Sequence, residues 1–227
     1  MLKTLPTATI AILTIVAAIL PARASDIPAD SVTVTAEKCF VEAPPEVFQL
    51  VSANTRMDMI DYYKAGMDRV SANEAGGECV LLGLEPESVI LKAGTDIRYQ
   101  FFVLEGKSKP YIGVIETLST PGDESMVRFY TSDWRPIDAA KKGLFSAPRL
   151  TDWMTSADKT VRAEVTETLP FILTSYAYDP ATQTLTATNN MSSYYHPTDT
   201  PDALKHLKNT ITYKWDGKKE AFVHEKK

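Results

Sequence analysis

Only two cysteines and three histidines occur in the 227 residues, and there is a single long apolar run. The scarcity of histidine and cysteine leaves His196, His206 and His224 without a second ligand at metal-binding spacing, so the sequence offers no metal site. No G-x-S-x-G elbow, G-x-x-x-x-G-K-[ST] loop, G-x-G-x-x-G turn or EF-hand spacing is present. The pattern therefore supplies no catalytic residue and no cofactor. Positive charge is also in short supply. With 24 basic against 29 acidic residues the net charge is −5, which argues against general nucleic-acid binding and against an anionic membrane surface.

The one long apolar run is Ala8–Leu20, 13 residues that are too few for a good membrane span. Lys3 precedes it, Pro21 breaks it, and Ala22-Arg23-Ala24 completes a secretory signal with an A-x-A cleavage site. Residues 1–24 read as a signal peptide and residues 25–227 as one globular domain, secreted or periplasmic, beginning at Ser25. Cys39 lies too far downstream of the site for lipidation. Taking 24 residues from 227 leaves 203, enough to bury a full core. It also removes Lys3 and Arg23 and no acid, which moves the net charge from −5 to −7.

Cys39 and Cys79 fall in the exported part, where a pair reads either as a disulfide or as two separate buried thiols. A bridge would enclose the segment between them and contribute roughly 3–4 kcal/mol on a chain-entropy argument.

That enclosed segment, Thr55–Met67 (TRMDMIDYYKAGM), has the clearest helical period in the chain. Met59, Ile60, Tyr63 and Met67 form one apolar stripe. Thr55 serves as N-cap, with Asp58 completing a capping-box-like pair, and Asp61 can pair with Lys64. Arg56, Asp58 and Asp61 make a polar edge that is either a capped, salt-bridged helix start or a cluster facing a ligand.

Strand period dominates elsewhere. Val32–Thr35 alternates briefly before Ala43-Pro44-Pro45, and Cys79–Leu82 and Ser88–Ala93 are short apolar runs. Asp96–Leu104, Pro110–Leu118 and Ser125–Thr131 form a meander through turns at Glu105–Lys107 and Thr120–Asp123. Phe171–Tyr178 pairs with Thr182–Thr188, and Thr210–Trp215 pairs with Glu220–His224 around Asp216-Gly217. Helical turns are expected within Leu150–Thr168 and over Thr200–Leu207. The expected fold is α+β, an antiparallel hairpin and meander sheet packed against the N-terminal amphipathic helix.

Aromatic residues beside strands and turns (Tyr130, Trp134, Tyr176, Tyr178, Tyr194, Tyr195, Trp215) are mostly core, with Tyr194-Tyr195 in a polar loop the best placed for exposure. Trp134, Tyr194 and Tyr195 join Arg56, Asp58 and Asp61 as binding candidates. Asn190-Met191-Ser192 is a glycosylation sequon.

The run from Phe40 to Trp134, carried by TRMDMIDYYKAGM, IRYQFFVL and GVIETLSTPGDESMVRFYTSDW, resembles a Bacteroidetes-type family of secreted proteins of unknown function. YDPATQTLTAT and ITYKWDGKK extend the resemblance over nearly all of the exported chain. It implies an envelope or secreted location and no activity. Arg56, Asp58, Asp61 and the Asp133-Trp134 pair match its motifs. The resulting expectation is a non-enzymatic binding module for a protein, peptide or glycan. Two alternatives stand beside it: a hydrolase of envelope or dietary polymers using acids such as Asp58 or Asp61, and a structural envelope protein.

Overall fold

The two central strands of the meander, Ile97–Leu104 and Tyr111–Leu118, are buried on both sides, and that pattern sets the architecture. The computed structural model describes residues 34–67 and 70–225. Met1–Ala24 and the final two lysines lie outside the described residues, as does the first half of the Val32–Thr35 run.

Helices α1 (Ala36–Glu42) and α2 (Ala53–Lys64) precede a seven-stranded antiparallel sheet. Its strands are β1 (Ser71–Ala72), β2 (Glu78–Glu85), β3 (Ser88–Lys92), β4 (Ile97–Leu104), β5 (Tyr111–Leu118), β6 (Glu124–Thr131) and β7 (Pro136–Ile137), in chain order. Short helices α3 (Ala139–Lys142) and α4 (Leu150–Trp153) and the longer α5 (Lys159–Thr168) follow. A second antiparallel sheet, ordered β11-β10-β9-β8, contains β8 (Thr174–Asp179), β9 (Thr184–Asn189), β10 (Thr210–Asp216) and β11 (Ala221–His224), with helix α6 (Met191–Tyr194) after β9. The fold is mixed α+β with two antiparallel sheets.

Side chains alternate across β4. Tyr99 and Phe101 join a core with α1, α2 and β2–β6, which includes Phe40, Phe48, Met59, Ile60, Leu91, Ile112 and Val114. Phe102 and Leu104 point the other way into a core with the second sheet, built from Ile115, Phe129, Tyr178, Leu185, Tyr213, Trp215 and Phe222 and closed by Trp153 and Val165. Burial on both faces explains why these strands read as near-continuous apolar runs. The two sheets meet at β8. The Gln100 amide donates to the Tyr178 carbonyl at 2.7 Å and accepts from the Tyr178 N–H at 3.0 Å, and it also donates to Ser88 Oγ at 2.9 Å. The Tyr176 N–H donates to Ser125 Oγ at 3.1 Å. Side chains of the larger sheet thus occupy backbone groups along this edge, which a bare edge strand would offer to another chain. The outer strands of the larger sheet, β1 and β7, have two residues each, which also limits edge pairing.

Helix α2 departs from its expected cap and face. Ser52, not Thr55, is the N-cap, and its Oγ accepts from the Thr55 N–H at 3.3 Å. Met59 and Ile60 are buried, whereas Tyr63 and Met67 are exposed, so the apolar stripe is covered only at its N-terminal end. Lys64 pairs across to Glu37 on α1 at 2.7 Å, not to Asp61. Helix α1 itself occupies a stretch that the sequence pattern left unassigned between a strand and a proline break. Thr35 caps it, accepting from the Lys38 N–H at 3.2 Å.

Cys39 and Cys79 are free thiols, both buried in the helix-side core, so the bridge between them is not formed. Cys79 Sγ instead lies 3.7 Å from Met59 Sδ. Burial pushes the Cys39 thiol up to about 12, reinforced by Glu42 and opposed by Lys38, and burial raises Cys79 as well. Both thiols should resist an aromatic disulfide reagent at pH 8 in the native protein and give two equivalents per chain in guanidinium. A raised thiol pKa favours the neutral form in the fold. Its contribution is therefore intact below the ordinary thiol value near 9 and is lost as pH climbs towards about 12. Denaturation midpoints measured across pH 8–11 should fall, and less steeply for Cys39→Val.

Candidate functional site

Three polar side chains share the helix-side face of the larger sheet, where alternation would otherwise place core. Tyr99 on β4 pairs directly with Glu116 on β5, and Arg128 on β6 pairs with Val114, one step diagonal from Glu116. The Arg128 guanidinium donates to the Glu116 carboxylate at 3.0 Å. Tyr130, two residues along β6, completes the floor. Around it stand Ile97 and residues of two loops, Glu46, Val47, Gln49 and Leu50 before α2 and Glu74 and Ala75 before β2. The loops are tied together by the Glu74 N–H, which donates to the Leu50 carbonyl at 2.9 Å. The cleft is open to solvent and has a volume of about 730 Å³.

Electrostatics follow from this packing. Burial raises the Tyr99 hydroxyl pKa, and the Glu116 charge and a hydrogen bond to that carboxylate raise it further. Burial also raises Tyr130, against the pull of Arg128. Both phenols therefore stay neutral and can donate. Arg128 is balanced by Glu116, while Glu46 and Glu74 have no cationic partner among the described residues. Three carboxylates against one guanidinium leave the cleft acidic. Among the described residues, no group of three or more His, Cys, Asp or Glu side chains is placed to hold a metal ion.

The residues singled out from sequence are not brought together. Arg56 is buried and donates to the Phe40 carbonyl and to the Ala43 carbonyl, each at 2.9 Å, with its charge 5.6 Å from the Phe48 ring centre. Both of these partners are backbone carbonyls. Asp58 and Asp61 are exposed on α2, and the inward acid pair that the hydrolase alternative needs is not formed. Trp134 is half-buried, in the left-handed backbone region with φ 62°, and its ring lies 5.4 Å from that of Tyr130. It supports the cleft floor from the side. Tyr194 is exposed and meets Phe171 at 5.3 Å and Tyr195 at 5.2 Å, forming a separate small aromatic patch. Asn190 is committed to the fold. Its side-chain nitrogen donates to the Asp123 carbonyl at 2.6 Å and to Ser175 Oγ at 2.9 Å, which leaves the sequon without a free acceptor.

Sequence reasoning missed Tyr99, Glu116, Arg128, Glu46 and Glu74. A usable signal existed for two of them. Glu116 interrupts the apolar run of β5, and Arg128 sits two residues before Tyr130, on the same face as buried aromatics.

Residues 29–220 match a family described as protein of unknown function (DUF3256). The chain belongs to this family. Within the DUF3256 frame, the cleft and every strand except β11 fall inside the matched residues. The fold is similar to that of a solved domain of an uncharacterized protein from Porphyromonas gingivalis W83. The TM-score is 0.70 at 20% identity, covering 84% of this chain and 98% of that one. At that identity the likeness concerns the fold alone. Among curated proteins, none matches the chain.

Proposed function

We propose that this protein is an exported, non-enzymatic binding module whose helix-side cleft takes a peptide or glycan segment carrying a basic group. The supporting observation is the acidic cleft itself, in which Glu46 and Glu74 stand unpaired above a floor of Tyr99, Glu116, Arg128 and Tyr130. The neutral tyrosine hydroxyls supply directional hydrogen bonds, and the rim carboxylates attract a cation before it seats. The signal-like Met1–Ala24 pattern supports export, and no helix among the described residues is long and apolar enough to cross a membrane. The α1–α2 layer, packed on the sheet, acts as frame and leaves the cleft to the loops beside it.

Titration with short basic, neutral and acidic peptides and with amino-bearing and neutral oligosaccharides tests this reading. A basic ligand should bind in a salt-sensitive manner, and the Glu46→Gln/Glu74→Gln double variant should weaken it about tenfold at low salt. Equal affinity for acidic and basic ligands, or an unaffected double variant, would count against the proposal.

A further inference from the structure

A second cleft, of about 710 Å³, lies at the other end of β4, between the β4–β5 turn and the β10–β11 turn. Its walls are Glu105, Gly106 and Lys107 from the first turn, Lys214 to Lys218 from the second, and Val223 on β11. The two turns come from different sheets and are fastened to each other. The Trp215 indole N–H donates to the Glu105 carbonyl at 2.9 Å. The Lys107 backbone N–H donates to the Glu220 carboxylate at 2.8 Å, and Tyr111 and Trp215 meet ring to ring at 6.1 Å. The cleft is thus shaped before any ligand arrives.

Its charge runs against that of the chain. Among the described residues Lys214 and Lys218 have no carboxylate partner, and Lys107 makes no direct ion pair, although its charge helps to lower the pKa of Glu220. Of the two lining carboxylates, Asp216 is held by Lys219 at 3.4 Å and accepts from the Lys218 and Lys219 backbone N–H groups, while Glu105 alone stands free. No arginine lines the cleft, and it holds neither a helix start nor a phosphate-cradling loop. Compact phosphate recognition through a fork or a backbone nest is therefore not what it offers. Flexible ammonium groups around glycine backbone and the exposed Val223 suit anionic groups distributed about a ring with an apolar face.

We propose that this hairpin-tip cleft binds an acidic sugar, its sulfate or carboxylate groups met by Lys107, Lys214 and Lys218 and its ring resting against Gly106, Gly217 and Val223. The assignment is independent of the helix-side cleft.

Calorimetric titration of the purified chain with a sulfated disaccharide, its unsulfated counterpart and sodium sulfate tests it. The sulfated disaccharide should bind saturably and more weakly as salt rises, and each of the other two should bind at least about tenfold more weakly. The Lys107→Ala/Lys214→Ala/Lys218→Ala variant, whose lysines are exposed, should keep its melting temperature and lose about tenfold or more in affinity. The Lys92→Ala/Lys159→Ala variant, with the charge removed elsewhere, should bind as the parent does, and so should Glu46→Gln/Glu74→Gln. Unchanged binding by the triple variant, an equal loss in the Lys92/Lys159 variant, or sodium sulfate binding as tightly as the sulfated disaccharide would each overturn the proposal.

Discussion

Gly113→Ala is expected to be among the most damaging single-methyl changes in the molecule. Gly113 on β5 pairs with Phe102 on β4, and the Phe102 ring lies flat across the space that a side chain at 113 would fill. A Cβ there would sit 2.1 Å from one ring carbon and 2.4 Å from two others. The ring has nowhere to go. It stacks on Tyr178 at 4.4 Å between centroids and meets Phe129 edge-on at 6.2 Å, in the interior between the two sheets. Overpacking of a well-filled core costs about 1–3 kcal/mol and at times more, and the rigidity of this ring puts the substitution at or above the top of that range. A loss of about 3 kcal/mol is a large fraction of a typical stability of about 5–15 kcal/mol. Urea titration should show it as a lowered midpoint at unchanged slope. The cause is separable from any general intolerance of β5. In a Phe102→Leu background the same Gly113→Ala change should cost far less, a coupling of about 1–3 kcal/mol in a double-mutant cycle. Additive effects would show that the ring is not the obstacle.

Arg56→Met should be at least as costly, for a reason written partly in the chain and partly in the fold. Helix α1 ends against Pro44 and Pro45, which have no N–H to offer. The Phe40 carbonyl, whose helical partner would be the N–H of residue 44, therefore lacks an intrahelical donor. Arg56 supplies one from α2 and satisfies Ala43 with another. Burial lowers the Arg56 pKa, yet the two carbonyls and the face of Phe48 keep the charged group accommodated. Methionine preserves the apolar stem but leaves two buried carbonyls unpaired, at about 1–3 kcal/mol each. A combined loss of about 3–5 kcal/mol is expected. Arg56→Lys should recover only part of it, since an ammonium lacks the fork that reaches both oxygens. Asp58→Asn and Asp61→Asn, exposed on the same helix, should stay within about 0.5 kcal/mol of the parent. If Arg56→Met melts within a degree or two of the parent, the α1–α2 staple is not what holds these helices together.

The contrast within that one helix shows how far sequence could carry the site. Arg56, Asp58 and Asp61 lie within two turns and carry opposite charges, so as a string they read as one polar edge. In space they part. Arg56 turns into the core because two carbonyls there need donors, and the acids stay in water. The cleft residues behave in the opposite way. Glu46, Glu74, Tyr99, Glu116 and Arg128 are scattered over more than eighty positions, and only strand pairing and loop docking make them neighbours. No local period marks them, although alternation along β5 and β6 places Glu116 and Arg128 on the buried face.

The strands and their turns were legible because their causes are local. Glu105–Lys107, Thr120–Asp123, Asp179–Ala181 and Asp216-Gly217 carry turn chemistry within a few residues, and each joins the strand pair expected of it. Sequence by itself determined a hairpin-built antiparallel α+β chain with an acidic balance. Tertiary structure decided what no window of the chain contains. It set a second sheet on the far face of the first through Gln100 and Phe102. It left Cys39 and Cys79 apart as thiols, and it buried Arg56 beneath a proline-ended helix. It also opened two clefts of opposite charge at the two ends of β4. Those outcomes depend on which buried polar groups find partners and which rings find room, quantities fixed only when distant segments meet.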